Sequence, residues 1–374
     1  MNNTAFIKGR KKTKNMFGKF KITTILASLM ILVLVASFTI MQPEKEQFFL
    51  SDNDELWAVY EKLGKIRFNA VNTSIKGVSA EKGRDIIFKG YSEKQDGKGK
   101  TAMQSPYFKC TACHNNEKEF DDLSNVSAQS RLDYAVEHDL PFLQGSSFYG
   151  LINRKTFYND DYQKKYGHVP IIKASNTDIR QAIQLCATQC AQGRALDDWE
   201  IESIMAYYSS IGLKIKDLNL KPAEKKEIET AINENKDLHQ AVHKLEEKYL
   251  ATSPAHFADH KEYTPITEAE KKDTKSFKNG QLIYERSCLH CHEGERYSFF
   301  ALDKSKFSFK NLLSKTIGNK DGSVYKITRH GTWPLAGKKA YMPLYPIEKM
   351  SESQLGDLKV YIENMAAGNN LAAK

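Results

Sequence analysis

Apolar residues recur at helical spacing in separate stretches of the chain, most clearly at 55–63, 197–211, 223–250 and 351–365. Two of these stretches open with a capping box, formed by Asp197 with Glu200 in one and by Ser351 with Gln354 in the other. The strict alternation of a half-buried strand is weak along the whole chain. The pattern therefore predicts a mostly α protein with long loops.

Changes in charge and polarity predict how the chain is organised. The predicted parts are a basic tail with an apolar run (1–43), a juxtamembrane segment (44–78), a first domain (79–212), a charged helical linker (213–275), a second domain (276–366) and a tail (367–374). A chain of 374 residues is long enough for two domains, each with its own core.

Residues 22–41 carry no charge and have about the 20-residue length of a membrane-spanning helix. The basic residues before this run favour an N-terminus in the cytoplasm, with the rest of the chain in the periplasm or extracytoplasmic space. A cleaved signal peptide usually has a shorter apolar core and a small-residue cleavage site. We therefore expect an uncleaved, single-pass anchor in the cytoplasmic membrane.

The net charge of +9 does not indicate nucleic-acid binding. Part of the excess belongs to the N-terminal tail, where it sets topology, and other lysines alternate with acidic residues, as in Lys225-Lys226-Glu227. We therefore attribute the excess of basic residues to membrane topology and a solvated surface, and we expect no nucleic-acid partner.

Two segments have the spacing C-x-x-C-H: Cys110-Thr-Ala-Cys113-His114 and Cys288-Leu-His-Cys291-His292. In this motif the two thiols form thioethers to a haem, and the histidine binds the iron. A zinc or redox CxxC pair is a poorer explanation, because the adjacent histidine occurs twice. The sequence predicts two covalently bound haem c groups. His290, inside the second motif, is expected to be exposed.

Each iron also needs a sixth ligand or an open position. For the second haem the candidate is Met342, which precedes Pro343 and lies just before the last predicted helix. A thioether opposite histidine raises the haem potential, as suits an electron carrier. The alternative is an ordinary core methionine.

For the first haem the candidate ligands are less clear. Cys186 and Cys190 precede the helix predicted at 197–211. They are one helical turn apart, where a disulfide is unfavourable unless the helix breaks. Alternatively, one thiolate binds the iron. The other possible ligands in this part of the chain are His138, His168, Met103 and Met205.

Several of these features resemble known cytochromes. Gly83-Arg84, the first C-x-x-C-H, Phe148-Tyr149-Gly150 and Cys186 before Gly193-Arg194 resemble the haem domain of diheme thiosulfate dehydrogenases and of the cysteine-ligated cytochromes of the Sox sulfur-oxidation system. In the second domain, Met342-Pro343, with Gly280 and Tyr284 where the first helix would cross the last, resembles single-haem cytochrome c. The resemblance implies two cytochrome c-like domains and Cys186 as the sixth ligand of the first haem. The sequence departs from the family pattern at Cys190, at Ala191-Gln192-Gly193 and in the long linker.

Two functions follow as hypotheses. The motifs alone predict electron transfer between redox proteins. The resemblance adds thiosulfate dehydrogenase activity on thiosulfate or another small sulfur anion, with Cys186 at the catalytic haem. A dianion would need charged donors, and Arg84, Arg154 and Arg194 lie in the matching segments. Any of them is alternatively a partner of a haem propionate or of a surface carboxylate.

Overall fold

A computed structural model describes residues 47–259, 262–318, 323–332 and 341–371. The chain separates into two compact units, Met1–Phe49 and Leu50–Lys374, and the second contains both C-x-x-C-H motifs. The expected membrane span at 22–41 lies outside the described residues. Among the residues that are described, no helix is both long and apolar enough to cross a membrane.

The described part of the chain is mostly helical, as the sequence predicts, and its β-structure consists of two isolated bridges. The α-helices are α1 (Leu56–Lys62), α2 (Ala80–Lys89), α3 (Ala128–Glu137), α4 (Asp160–Tyr166), α5 (Ile179–Leu185), α6 (Asp198–Ser210), α7 (Pro222–Glu234), α8 (Leu238–Glu246), α9 (Thr274–Ile283), α10 (Leu289–His292), α11 (Lys306–Gly318), α12 (Val324–His330) and α13 (Glu352–Ala367). Short 3-10 turns lie at Cys110–Ala112, Leu151–Asn153, Ala174–Asn176, Ile215–Leu218, Glu270–Lys272 and Glu293–Glu295. Two π-turns, Cys186–Cys190 and Tyr284–Cys288, continue α5 and α9.

One helix pair organises each half of this unit. Helix α2 crosses α6 at Gly83, where a Cβ would overlap the Ser203 carbonyl oxygen. Helix α9 crosses α13 at Gly280, where a Cβ would overlap the Asp357 carbonyl oxygen. The second crossing is the one that the sequence predicts. Glycine is required at both points because the two backbones touch.

The predicted capping boxes also form. The Glu200 carboxylate accepts a hydrogen bond from the Asp197 amide at 2.9 Å. The Ser351 amide donates to the Gln354 side chain at 3.0 Å, and the Gln354 amide donates back to the Ser351 hydroxyl at 3.2 Å. These contacts satisfy amides that would otherwise have no partner at the start of each helix.

The prediction of one helix over 223–250 is wrong, because this stretch forms α7 and α8. The chain between them places Asn235 and Asp237 at φ +54° each. Asparagine and aspartate tolerate this left-handed conformation better than most residues, so the helix ends there and a second one begins. The two helices pack with α1 around a common core that includes Tyr60, Ile228 and Leu245.

Helix α3 links the two halves of the unit. Its Leu132, together with Phe142, belongs to the same apolar core as α9 and α13. The buried Arg131 guanidinium donates to the Lys349 carbonyl oxygen and pairs with the Glu119 carboxylate, both at 3.0 Å. The Lys349 ammonium pairs with the same carboxylate at 3.0 Å. This buried charge cluster joins the two C-x-x-C-H halves.

Candidate haem sites

The first motif opens onto a large, mostly apolar cleft of about 1450 Å³, counted with the solvent at its mouth. Cys110, Cys113 and His114 line it from one side. The His114 ring stacks on Phe148 with the ring centroids 4.7 Å apart. Gly145 lies directly against the same imidazole, since a Cβ there would overlap it. The histidine is therefore held between an aromatic ring and bare backbone.

The hydrogen bond of His114 determines which of its nitrogens can bind a metal. Its Nδ1 lies 2.6 Å from the Ser146 carbonyl oxygen, which can only accept. Nδ1 must therefore carry the proton, leaving the Nε2 lone pair for the iron. Burial lowers the pKa of His114, which keeps the ring neutral. Such outer hydrogen bonds fix the tautomer of metal-binding histidines in general.

The same cleft is lined by both remaining cysteines of this half, Cys186 and Cys190. They lie at the two ends of the π-turn, where the Ala191 amide donates to the Cys186 carbonyl oxygen at 2.8 Å. The widened turn directs both side chains into the cleft, where the two thiols hydrogen-bond to each other. This contact raises the pKa of Cys186 and lowers the pKa of Cys190.

The Cys190 sulfur has further polar neighbours. It accepts hydrogen bonds from the hydroxyls of Tyr341 and Tyr158, and the positive charge of Lys165 acts on it. Burial lowers the pKa of Lys165 to about 8. Sequence reasoning did not find these residues. Tyrosines four residues apart at 158, 162 and 166, the last two in α4, were a visible signal, but nothing in the sequence related them to Cys190.

The three arginines predicted as anion ligands lie in different places. Arg154 lines the cleft, and so does Lys349. Burial lowers the pKa of Arg154, and it lowers the pKa of Lys349 to about 8. Arg84 is exposed and its guanidinium lies over the Phe88 ring, 5.1 Å from the centroid. Arg194 forms a double hydrogen bond with the Glu200 carboxylate, at 2.5 and 2.7 Å, and is not among the lining residues.

The alternative sixth ligands do not line the cleft. His138 and His168 are exposed, and Met103 is 47% exposed. Met205 is fully buried in the core between α2 and α6. Of the candidate ligands that the sequence offered for the first haem, the structure thus brings Cys186 and Cys190 to the cleft.

The second motif repeats the histidine arrangement. The Nδ1 of the buried His292 lies 3.3 Å from the Phe300 carbonyl oxygen, so Nε2 is again the nitrogen left for a metal. Met342 is half-buried and packs, with Cys288, against the core formed by α9 and α13. The Thr332 amide donates to the Met342 carbonyl oxygen at 2.8 Å, and the Met342 amide donates to the Thr332 hydroxyl at 2.9 Å. These two hydrogen bonds fix the Met342 backbone.

The two motifs lie side by side. The expectation that His290 is exposed is wrong, because its ring lies against the backbone of Thr111 and Ala112 in the first motif. Burial lowers its pKa to about 4. Tyr297 shares a hydrogen bond with Thr111, and Cys113 and Cys291 are near enough for their charges to interact. The segment 341–344 also serves both halves, since Tyr341 contacts Cys190 while Met342 packs in the second core.

The residues of the first cleft fit a covalently attached haem. Two thiols lie beside a histidine with a free Nε2, a sulfur donor lines the same space, and the walls are mostly apolar. The cations Arg154 and Lys349 suit the two carboxylates that haem carries. Comparison of this chain with protein-family models, with curated proteins and with solved structures gives no match.

Proposed function

We propose that this protein is a two-haem c-type cytochrome that transfers electrons outside the cytoplasm, held to the membrane by residues 22–41. The observation that carries the proposal is that both motif histidines make the same kind of hydrogen bond. Each directs Nδ1 at a backbone carbonyl oxygen, of Ser146 or Phe300, and so offers Nε2 for iron. A zinc-binding histidine can make the same hydrogen bond, and it is the large apolar cleft beside the first motif that favours haem over a zinc or thiol-redox CxxC pair.

The bound haems would supply one-electron chemistry, and the chain would hold and insulate them. Cys110 and Cys113 would attach the first haem and Cys288 and Cys291 the second. His114 and Cys186 would be the ligands of the first iron, and His292 and Met342 those of the second. Contact between the motifs supports a short electron path from one haem to the other.

Covalent haem content tests this proposal directly. The chain, produced in a host that attaches haem to C-x-x-C-H motifs and then denatured, should retain two haems per polypeptide. The double variant Cys288→Ala/Cys291→Ala should retain one. The matched control Cys186→Ala/Cys190→Ala removes the same number of thiols and should still retain two. A wild-type count of zero or one refutes the two-haem proposal.

A second candidate is thiosulfate or tetrathionate chemistry at the first haem, as the resemblance implies. Two thiols line the cleft and the charge of Lys165 acts on one of them, which favours this candidate, because a sulfur anion needs a nucleophilic or displaceable ligand and a nearby cation. Partners of either function would be redox proteins that donate or accept electrons.

Lys165 offers a sharp test of this candidate. Lys165→Met should weaken thiosulfate-dependent haem reduction by about 10-fold or more, because a lost charge-assisted contact costs roughly 1.5–3 kcal/mol. Lys164→Met is the matched control, since its side chain is 78% exposed and points to Asp161. Equal activity in the two variants, or none in the wild type, counts against the enzyme.

A further inference from the structure

The first cleft contains one more thiol than an electron carrier requires. One sulfur suffices to complete the coordination of an iron held by His114. Cys190 lies in the same π-turn as Cys186, and both line the cleft. The two thiols are near enough to act on each other. Neither electron transfer nor a Cys186 ligand accounts for the second thiol.

The local backbone makes the pair unusual. In a regular α-helix, side chains at this spacing have Cβ atoms about 5–6 Å apart, whereas a disulfide needs about 3.5–4.5 Å. Here the helix is not regular, because α5 ends at Leu185 and the π-turn spans the two cysteines. A π-turn inserted in a helix frequently marks a functional site. The π-turn places the two thiols at its two ends with both lining the same cleft, near enough to interact, so the constraint of a regular helix does not apply to this pair.

The surroundings of Cys190 suit a reacting sulfur. The hydroxyls of Tyr158 and Tyr341 donate to it, and the Lys165 charge acts on it. The thiolate is the form of cysteine that reacts in disulfide chemistry, and these groups stabilise negative charge on the sulfur. Cys186 faces the same space from the other end of the turn.

We infer that Cys186 and Cys190 form a reversible two-electron dithiol–disulfide couple, and that closing the disulfide removes Cys186 from the first iron. The inference rests on the proposed function, because the electrons leave through its two haems. Starting from Cys186 as a thiolate on iron and Cys190 as a thiol, one S–S bond forms. The Cys186–iron bond and the Cys190 S–H bond break, and one proton goes to solvent. Of the two electrons released, one reduces each haem from ferric to ferrous.

The couple would give the protein two states with different chemistry. In the dithiol state the first iron is fully coordinated and exchanges electrons only. In the disulfide state its sixth position is open to a small ligand from the cleft. The chain would thus change its ligand-binding behaviour with the redox state of its surroundings.

Counting free thiols tests the couple separately from the proposed function. The full chain is equilibrated without oxygen in buffers of reduced and oxidised dithiothreitol, quenched in acid, alkylated with N-ethylmaleimide and mapped by mass spectrometry. In the reducing buffer, wild type should take up two maleimides, because the other four cysteines carry haem. In the oxidising buffer it should take up none, and the peptide with Cys186 and Cys190 should be lighter by two hydrogens.

The variants and the haem spectrum complete the test. Cys186→Ser and Cys190→Ser should each take up one maleimide in every buffer. The absorption of the first haem should change over the same buffer range in wild type only, because only there does Cys186 leave the iron. The inference is overturned if both thiols stay alkylatable in buffers that close the disulfide in the unfolded chain. A reduced wild type that takes up six maleimides refutes haem attachment instead, while the peptide mass still reports on the disulfide.

Discussion

The buried charge cluster of Glu119, Arg131 and Lys349 yields a prediction whose size follows from the structure. Glu119 and Arg131 are 6% and 1% exposed, and the carboxylate bonds both cations at 3.0 Å. Glu119→Gln keeps the shape of the side chain but leaves two buried positive charges without their counter-charge. Breaking a buried ion pair from one side costs about 3–5 kcal/mol, which is roughly a 10²- to 5 × 10³-fold change in the unfolding equilibrium.

The measurement is the free energy of unfolding in urea, followed for the haem-loaded protein. Asp85→Asn is the control, since its partner Lys89 is 51% exposed and such surface pairs contribute about 0–1 kcal/mol. Glu119→Gln should lower the free energy of unfolding by several times the effect of the control. A difference below about 1 kcal/mol would refute the view that this cluster joins the two halves.

The same cluster fixes the direction of a pH effect. Although burial opposes ionisation, Arg131 and Lys349 outweigh it and hold the pKa of Glu119 well below its usual range. A carboxylate with a lowered pKa stabilises the fold fully above its unfolded pKa, about 4.3 for glutamate, and this stabilisation is lost as the pH falls towards its folded pKa. Wild type should therefore lose stability below about pH 4.5 more steeply than Glu119→Gln.

Three further predictions concern the anchor and the two irons. The full chain should fractionate with membranes and keep its N-terminus, whereas recovery of a soluble form that begins shortly after residue 37 would favour a cleaved signal. Met342→Ala should abolish the near-infrared methionine–iron band and lower the potential of one haem only, with Met103→Ala, which is exposed, as the control. If the cleft is an enzyme site, Cys186→Met should still transfer electrons but should no longer be reduced by thiosulfate. If neither thiosulfate nor tetrathionate changes the wild-type spectrum, the enzyme hypothesis is refuted and the carrier function is the one that stands.

Some features of this protein follow from local sequence. The helix at 198–210 and the helix at 352–367 were predictable because apolar periodicity and capping residues act within one or two turns. The crossing at Gly280 was expected from the resemblance to single-haem cytochrome c, and it forms because glycine allows such close backbone contact. The two C-x-x-C-H motifs predict haem attachment by their spacing alone. The break between α7 and α8 also had a local signal, the two asparagines around Glu234. The helical spacing of the apolar residues continues across it, however, and suggested one helix.

Other features depended on the tertiary structure, because they join residues far apart in sequence. Cys190 meets Tyr341 only when the second half packs against the first, so no pattern near Cys190 reveals its hydrogen bonds. Arg154 and Arg194 looked equivalent in sequence, yet one lines the cleft and the other holds Glu200 at the start of a helix. His290 is half-buried because the first motif lies against it. Local sequence determined which residues we propose as haem ligands, and long-range packing decided which other side chains lie beside them.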